Sequence, residues 1–272
     1  MAGPHGSRPP RFTRARVVTV ANQKGGVGKT TTAVSLAAAL ADLGARVLLV
    51  DLDPQGNATS GVGVRVHSGQ PTVYEVLVGG ADIVDAIEPT SVRNLFALPA
   101  TIDLAGAEIE LVTAFSREQR LRKALEPVRT DFDVVLIDCP PSLGLLTVNA
   151  LSAADGVVVP IQCEYYALEG LGALRRNAEL IKDNLNAALE ITGFVLTMLD
   201  ARTRLGQQVV DEVVSHFGDR VFTTRIPRSV RLAEAPSYGQ PITVFDPSSR
   251  GARAYRRLAA EVLERLSDGE EA

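Results

Sequence analysis

Gln23-Lys24-Gly25-Gly26-Val27-Gly28-Lys29-Thr30 decides how this chain is read. It fits the phosphate-loop pattern GxxxxGK[ST] except at the first position, where Gln23 replaces glycine, and Lys24 follows at once. The remainder has a physical purpose. Backbone N–H groups of Gly25, Gly26, Val27, Gly28, Lys29, Thr30 and Thr31 can wrap a β-phosphate, Lys29 can reach the β- and γ-phosphates, and Thr30 can ligate Mg²⁺. The apolar run at residues 17–20 reads as a buried strand. Residues 31–43, with Val34, Leu36, Ala37, Leu40 and Ala41, read as a helix whose N-terminus faces the anion. Strand, loop and helix in that order make a nucleotide-phosphate site.

Composition sets the frame around it. At 272 residues the chain is long enough for one large α/β domain or two small ones. Aromatics make up 5% and tryptophan is absent, so the core must be Val, Leu, Ile and Ala, which suits helices packed on a parallel sheet. A net charge of −4 does not advertise a nucleic-acid binder, so any such role needs a local basic patch. Cys139 and Cys163 have no metal-ligand spacing and suit a reducing compartment. No apolar run approaches the roughly 20 residues of a membrane span, and the N-terminus lacks a signal-peptide core, so the expected location is the cytoplasm.

Along the chain, residues 1–16 read as a flexible basic tail, 17–266 as one domain and 267–272 as an acidic C-terminal tail. Strands are expected at 46–51, 95–98, 132–138, 156–161, 191–198 and 221–226. Helices are expected near 73–77, 103–125, 207–217 and 252–266, with another through Leu168, Leu171, Leu174, Ile181 and Leu185. This alternation predicts a single α/β domain: a mostly parallel twisted sheet flanked by helices on both faces. Ligands bind such sheets outside the carboxyl ends of the strands, where the phosphate loop and both acidic motifs fall.

Asp138 ends the run Val134, Val135, Leu136 and Ile137, and a carboxylate there is the expected Mg²⁺ partner, although a strand-end aspartate can simply cap a turn. Asp53, in the loop after another strand, is the candidate for positioning the attacking water; Asp-Pro is also a plain turn former, and Asp51 is an alternative. Lys24 faces outward from the loop, either toward a partner subunit's nucleotide or simply into solvent.

Lys24-Gly25-Gly26-Val27-Gly28-Lys29-Thr30 resembles the deviant Walker A motif of the ParA/MinD ATPases, a branch of the P-loop NTPases. The stretches beginning Asp51-Leu52-Asp53-Pro54-Gln55-Gly56-Asn57, Asp138-Cys139-Pro140-Pro141, Glu164-Tyr165-Tyr166-Ala167-Leu168-Glu169-Gly170 and Ile226-Pro227-Arg228-Ser229-Val230-Arg231 resemble its chromosomal ParA (Soj) branch. The resemblance implies an ATP-sandwich homodimer in which Lys24 contacts nucleotide across the interface. It implies that Asp53 supports slow hydrolysis, that Asp138 belongs to a Mg²⁺ switch, and that Pro227 flanks the adenine. It further implies non-specific DNA binding, nucleoid association and stimulation by a ParB-type protein.

Particular arginines fit the DNA role. Arg202 and Arg204 begin a helix, where cations oppose the dipole and an anion would resolve the conflict. Arg228 and Arg231 lie in a loop, and Arg250, Arg253, Arg256 and Arg257 cluster near the last helix; a solvated basic face is the alternative. No aromatic is interleaved with them, so binding without base reading is expected. A MinD-like membrane ATPase would need a basic amphipathic C-terminal helix. Here the stripe Leu258, Val262 and Leu266 is followed by acids, which predicts packing on the sheet and no membrane contact. A small-molecule ligase or kinase would need a further polar constellation, and none is evident.

Overall fold

Alternating side chains along each buried strand divide between two apolar cores. Val17, Leu48, Val50, Val135, Ile137, Val157 and Val159 fall in one. Val18, Val20, Val47, Leu49, Val134, Leu136 and Val158 fall in the other. This period of two, apolar on both faces, requires helices above and below the sheet. The computed structural model describes residues 12–164 and 171–268 and has that arrangement. Its strands are β1 (Arg16–Val20), β2 (Val47–Asp51), β3 (Glu88–Pro89), β4 (Leu95–Leu98), β5 (Val134–Asp138), β6 (Gly156–Gln162) and β7 (Glu190–Thr197). They form one sheet in the order β3-β4-β2-β5-β1-β6-β7. All pairings are parallel except β3 with β4.

The longer helices are α1 (Lys29–Asp42), α2 (Leu104–Glu110), α3 (Leu145–Ala153), α4 (Leu171–Asn184), α5 (Arg204–Phe217) and α6 (Arg250–Asp268). On one face α1 packs against α6, with the Thr32 hydroxyl 3.2 Å from the buried Tyr255 hydroxyl. Residues of α2, α3 and α5 fill the other face. The stripe Leu258, Val262 and Leu266 is buried in the α1 side core, as the sequence predicts.

Several expectations shift. The tail boundary at residue 16 moves back: Phe12 is buried, Arg16 stacks over its ring, and Ala15 N donates to Arg129 O. One aromatic side chain is enough to pin this segment. The helix expected over 103–125 is broken, because Ser116 adopts φ 51° between the turns Leu111–Thr113 and Arg117–Gln119. The helical segment expected at 73–77 is a π-helical turn at Glu75–Gly79. The strand expected at 221–226 is not a ladder. Phe222 N and Ile226 N reach β7, but Thr223 N and Thr224 N donate to the Glu261 carboxylate at 2.7 and 2.8 Å. A side chain of α6 thus takes the donors a strand would need. Helix α3 has no counterpart in the sequence reading because nearly all its residues are buried, leaving no polar face to set a period. The expected motif residues 165–170, Leu168 of the expected helix among them, lie outside the described residues, as do residues 1–11 of the expected basic tail and 269–272 of the expected acidic tail.

Candidate active site

Three strands deliver the expected groups to one edge. In register, Val20 of β1 pairs with Asp138 of β5, and Asp138 with Asp51 of β2, so the loop after β1 and both acidic motifs leave the sheet side by side. Gly26 and Gly28 take φ values of 74° and 87°, a left-handed conformation that a side chain would strain. Gly28 is the N-cap of α1 and no side chain caps that helix, so its first N–H groups are available to an anion.

The loop is braced from both flanks. Asn22 Nδ2 donates to Pro160 O at 2.8 Å, while Asn22 Oδ1 accepts from Lys24 N at 3.0 Å. Thr197 Oγ1, at the end of β7, donates to Val27 O at 2.9 Å. Lys29 is buried, and its ammonium rests on Lys24 O at 3.1 Å. Burial lowers the Lys29 pKa, opposed by the charges of Asp138, Cys139 and Asp53. Lys24 is half-buried, as are Thr30 and Thr31.

The three carboxylates have different surroundings. Asp51 is buried and well satisfied: it accepts from Asp53 N at 3.1 Å and from both Thr59 N and Thr59 Oγ1 at 2.8 Å. Burial still pushes it up to about 6. Asp53 Oδ1 accepts from Gln55 N at 3.0 Å, so this residue shapes its own turn as well as facing the edge. Asp138 is fully buried, and neither carboxylate oxygen meets a donor with hydrogen-bond geometry, although the Thr30 hydroxyl stands beside it. Burial, reinforced by the Asp51 charge, pushes Asp138 well above the usual carboxylate range. An orphaned buried carboxylate next to a threonine hydroxyl and an ammonium suits a divalent cation. Among the described residues no three His, Cys, Asp or Glu side chains converge on a metal site. A cation here would therefore be held jointly with phosphate and water, the habit of Mg²⁺.

An open cavity of about 430 Å³ adjoins Thr30 and Thr31 and is also lined by Val34, Ser60, Leu232 and Pro236. Pro227, expected beside the adenine, bridges to Leu199 and lines a cleft of about 260 Å³ with Arg225, Arg250, Arg253 and Arg257.

Residues 15–191 match the family model of the AAA domain. The chain is 59% identical to the sporulation initiation inhibitor protein Soj of Bacillus subtilis over 247 residues, covering 91% of this chain and 98% of that one. It is 51% identical to the chromosome partitioning protein ParA of Myxococcus xanthus, covering 93% and 89% respectively. The chain belongs to the Soj/ParA family of chromosome-partitioning ATPases. Its fold is also that of a solved Mycobacterium smegmatis protein titled cobyrinic acid a,c-diamide synthase, determined with bound ADP and magnesium. That likeness has a TM-score of 0.83 and 42% identity, covering 94% of this chain and 96% of the other.

In this Soj/ParA-family chain the predicted arginines separate into two groups. Arg202 is held by Asp200 through two contacts of 3.0 Å, and Arg231 pairs with Glu234 at 3.1 Å and Asp246 at 3.3 Å. The conflict inferred at the start of α5 is partly resolved within the chain: Asp200 answers Arg202, and Thr203 caps Gly206 N ahead of Arg204. Arg253 is exposed and donates to Ser248 O at 2.9 Å, with Arg250 and Arg257 exposed on the same helix face. Arg228 is exposed beside Asp200. Sequence reasoning missed Thr59, Asn22, Thr197 and Arg225. Asn22 and Thr197 sit at or just past strand ends on the binding edge and Thr59 in the short helical turn after β2, and that placement is the signal that could have found them.

Proposed function

We propose that this chain is an ATP-driven partitioning switch. ATP and Mg²⁺ bind at the loop of residues 24–31, two copies close face to face, and the closed form binds duplex DNA without sequence preference until hydrolysis releases it. The observation that carries this reading is the orphaned Asp138 carboxylate set beside Thr30 and Lys29 at the carboxyl edge.

In this reading the N–H groups of the loop and of the first turn of α1 hold the phosphates, and Lys29 leaves the Lys24 carbonyl to neutralise them. Asp138 and Thr30 hold the cation, whose chemistry is to offset phosphoryl charge. Asp53 orients the attacking water, and Lys24 supplies its ammonium to the partner's nucleotide. The nucleoside extends into the cavity beyond Thr31. Arg250, Arg253 and Arg257, together with Arg228 and Arg204, form the positive surface for DNA. Arg202 and Arg231 contribute less because carboxylates already engage them. A ParB-type protein accelerates turnover, and the DNA-bound form lies on the nucleoid.

A MinD-like membrane role is disfavoured because the apolar stripe of α6 is already buried. No helix among the described residues is long and apolar enough to cross a membrane. An amide synthase drawing nitrogen from glutamine would need a thiolate nucleophile; burial pushes Cys163 up to about 11 and raises Cys139 as well.

Sizing of the wild-type chain and of Asp53→Ala with ATP and Mg²⁺, followed by duplex retardation, tests the proposal. A trapped dimer that shifts unrelated duplexes equally is expected. A monomer under both conditions removes the switch.

A further inference from the structure

Met198, the residue just past the end of β7, has a left-handed backbone with φ 53°. Among the described residues only Asn94 and Ser116 share that region without being glycine. Asparagine visits it at little cost, and serine is small. A side chain as long as methionine has no local hydrogen bond to offset the strain.

The strain is fixed from both sides. Thr197 is the last residue of β7 in register with β6, opposite Gln162, and its carbonyl accepts from Cys163 N at 3.1 Å. Its hydroxyl donates to Val27 O of the phosphate loop at 2.9 Å. Leu199 is held elsewhere: its N donates to Ile226 O at 3.0 Å, its O accepts from Arg228 N at 3.1 Å, and it bridges to Pro227. Met198 is the single residue between two anchored neighbours, and its backbone cannot relax without releasing one of them.

Glycine would make the same turn without strain. What methionine adds is reach. A Cβ built on Gly28 would lie 3.8 Å from Met198 Cε and within 4 Å of no other atom beyond its own stretch of chain. The thioether methyl therefore borders the space over Gly28, the N-cap of α1, whose own φ is 87°. Met198 is only half-buried, so core packing does not account for its size.

We propose that Met198 is a positioning residue for nucleotide binding. Its methyl group confines the Gly28 turn and so keeps the first N–H groups of α1 aimed at the phosphates. It also keeps water from beside them, and the lower local dielectric strengthens each hydrogen bond. It touches no reacting atom. This deepens the proposed function, because it rests on phosphates binding at residues 24–31, and it adds a residue outside both the loop and the acidic motifs.

Titration of the full chain with a fluorescent ADP, together with steady-state ATP turnover, tests the assignment. Met198→Gly should weaken ADP about fivefold, raise KM for ATP by a similar factor and lower kcat less, the pattern of a residue that supports binding in ground and transition states alike. Its melting temperature should be no lower than the parent's, since the strained turn is relaxed. Met198→Asn, which suits the turn but lacks the methyl, should lose the same affinity, and Met198→Leu, which keeps an apolar reach, should recover most of it. Parental affinity in both the glycine and asparagine variants overturns the proposal, as does a loss confined to kcat. Melting temperatures that fall in step with affinity in both variants make Met198 a packing residue and overturn it too. A parent chain that binds no nucleotide is a different failure: it removes the phosphate site itself, and this role with it.

Discussion

Asp51 and Asp138 stand in register at the ends of adjacent strands, yet only Asp51 has its carboxylate met by donors. Two buried acids side by side cost stability unless something neutralises them. The chain satisfies one internally and leaves the other without a donor.

Asp138→Asn should therefore stabilise the nucleotide-free chain while abolishing Mg²⁺-dependent turnover. Removing an unpaired buried charge is worth about 1–3 kcal/mol. Both carboxyls are held above the ordinary 3.8, Asp51 at about 6, so the folded form takes up protons more readily than the unfolded one. Stability is then intact below the ordinary value and falls as pH rises through about 6. The advantage of the variant should vanish near the ordinary carboxylate value and grow as pH rises toward the raised Asp138 value. Thermal melts across pH without metal check this; a variant less stable than the parent at neutral pH contradicts it.

Lys29 and Lys24 should separate by function. Lys29 is buried with its ammonium on the Lys24 carbonyl, and in the proposed function it serves a ligand of the same subunit. Lys29→Ala should lose nucleotide affinity by tenfold or more, a change of about 1.4 kcal/mol or greater. Lys24→Ala should keep nucleotide binding near that of the parent and lose ATP-dependent dimerisation and turnover. Fluorescent-nucleotide titration and sizing measure the two separately, and equal loss of binding in both variants would falsify the division.

Legibility from sequence followed the physics of each element. Strands β1, β2, β4 and β5 were plain because continuous Val, Leu and Ile runs have few other uses in a parallel sheet. The loop was plain because its glycines answer a backbone demand that local sequence records. Helix α3 was not, since a segment buried all round has no period. Glu261, which takes the donors of Thr223 and Thr224, lies far along the chain, so no local pattern could show that the expected strand would fail. The acid partners of Arg202 and Arg231 are close in sequence but depend on turn geometry, and composition alone left those arginines looking free.

Thr59 should matter more than its place in a short helical turn suggests. Its hydroxyl donates to Asp51 at 2.8 Å and accepts from Ala100 N at 2.9 Å, joining the Asp53 loop to the segment after β4. Thr59→Val keeps the shape but strips a donor from a buried carboxylate and an acceptor from a buried amide, for a loss of about 1–3 kcal/mol. Thr59→Ser should restore most of it. Urea melts give the stability, and turnover should fall in the valine variant together with it. A valine variant as stable as the parent would mean the Asp51 network is incidental.

The cationic surface makes the sharpest distinction. Arg253 and Arg257 share a face of α6 and line the arginine cleft, while Arg202 is already bonded to Asp200. A phosphate that replaced Asp200 would gain little, because the guanidinium must first leave a carboxylate. Arg253→Ala/Arg257→Ala should thus lower the salt slope of DNA binding in the ATP state by about 0.9 for each phosphate that is no longer neutralised. Arg202→Ala alone would free Asp200 to repel DNA and mislead. Arg202→Ala/Asp200→Ala removes both charges and should leave the slope nearly unchanged. Retardation assays over a range of salt decide it: if the Arg202/Asp200 pair costs as much slope as the α6 pair, phosphates bind at the start of α5 and the cleft is not the DNA surface.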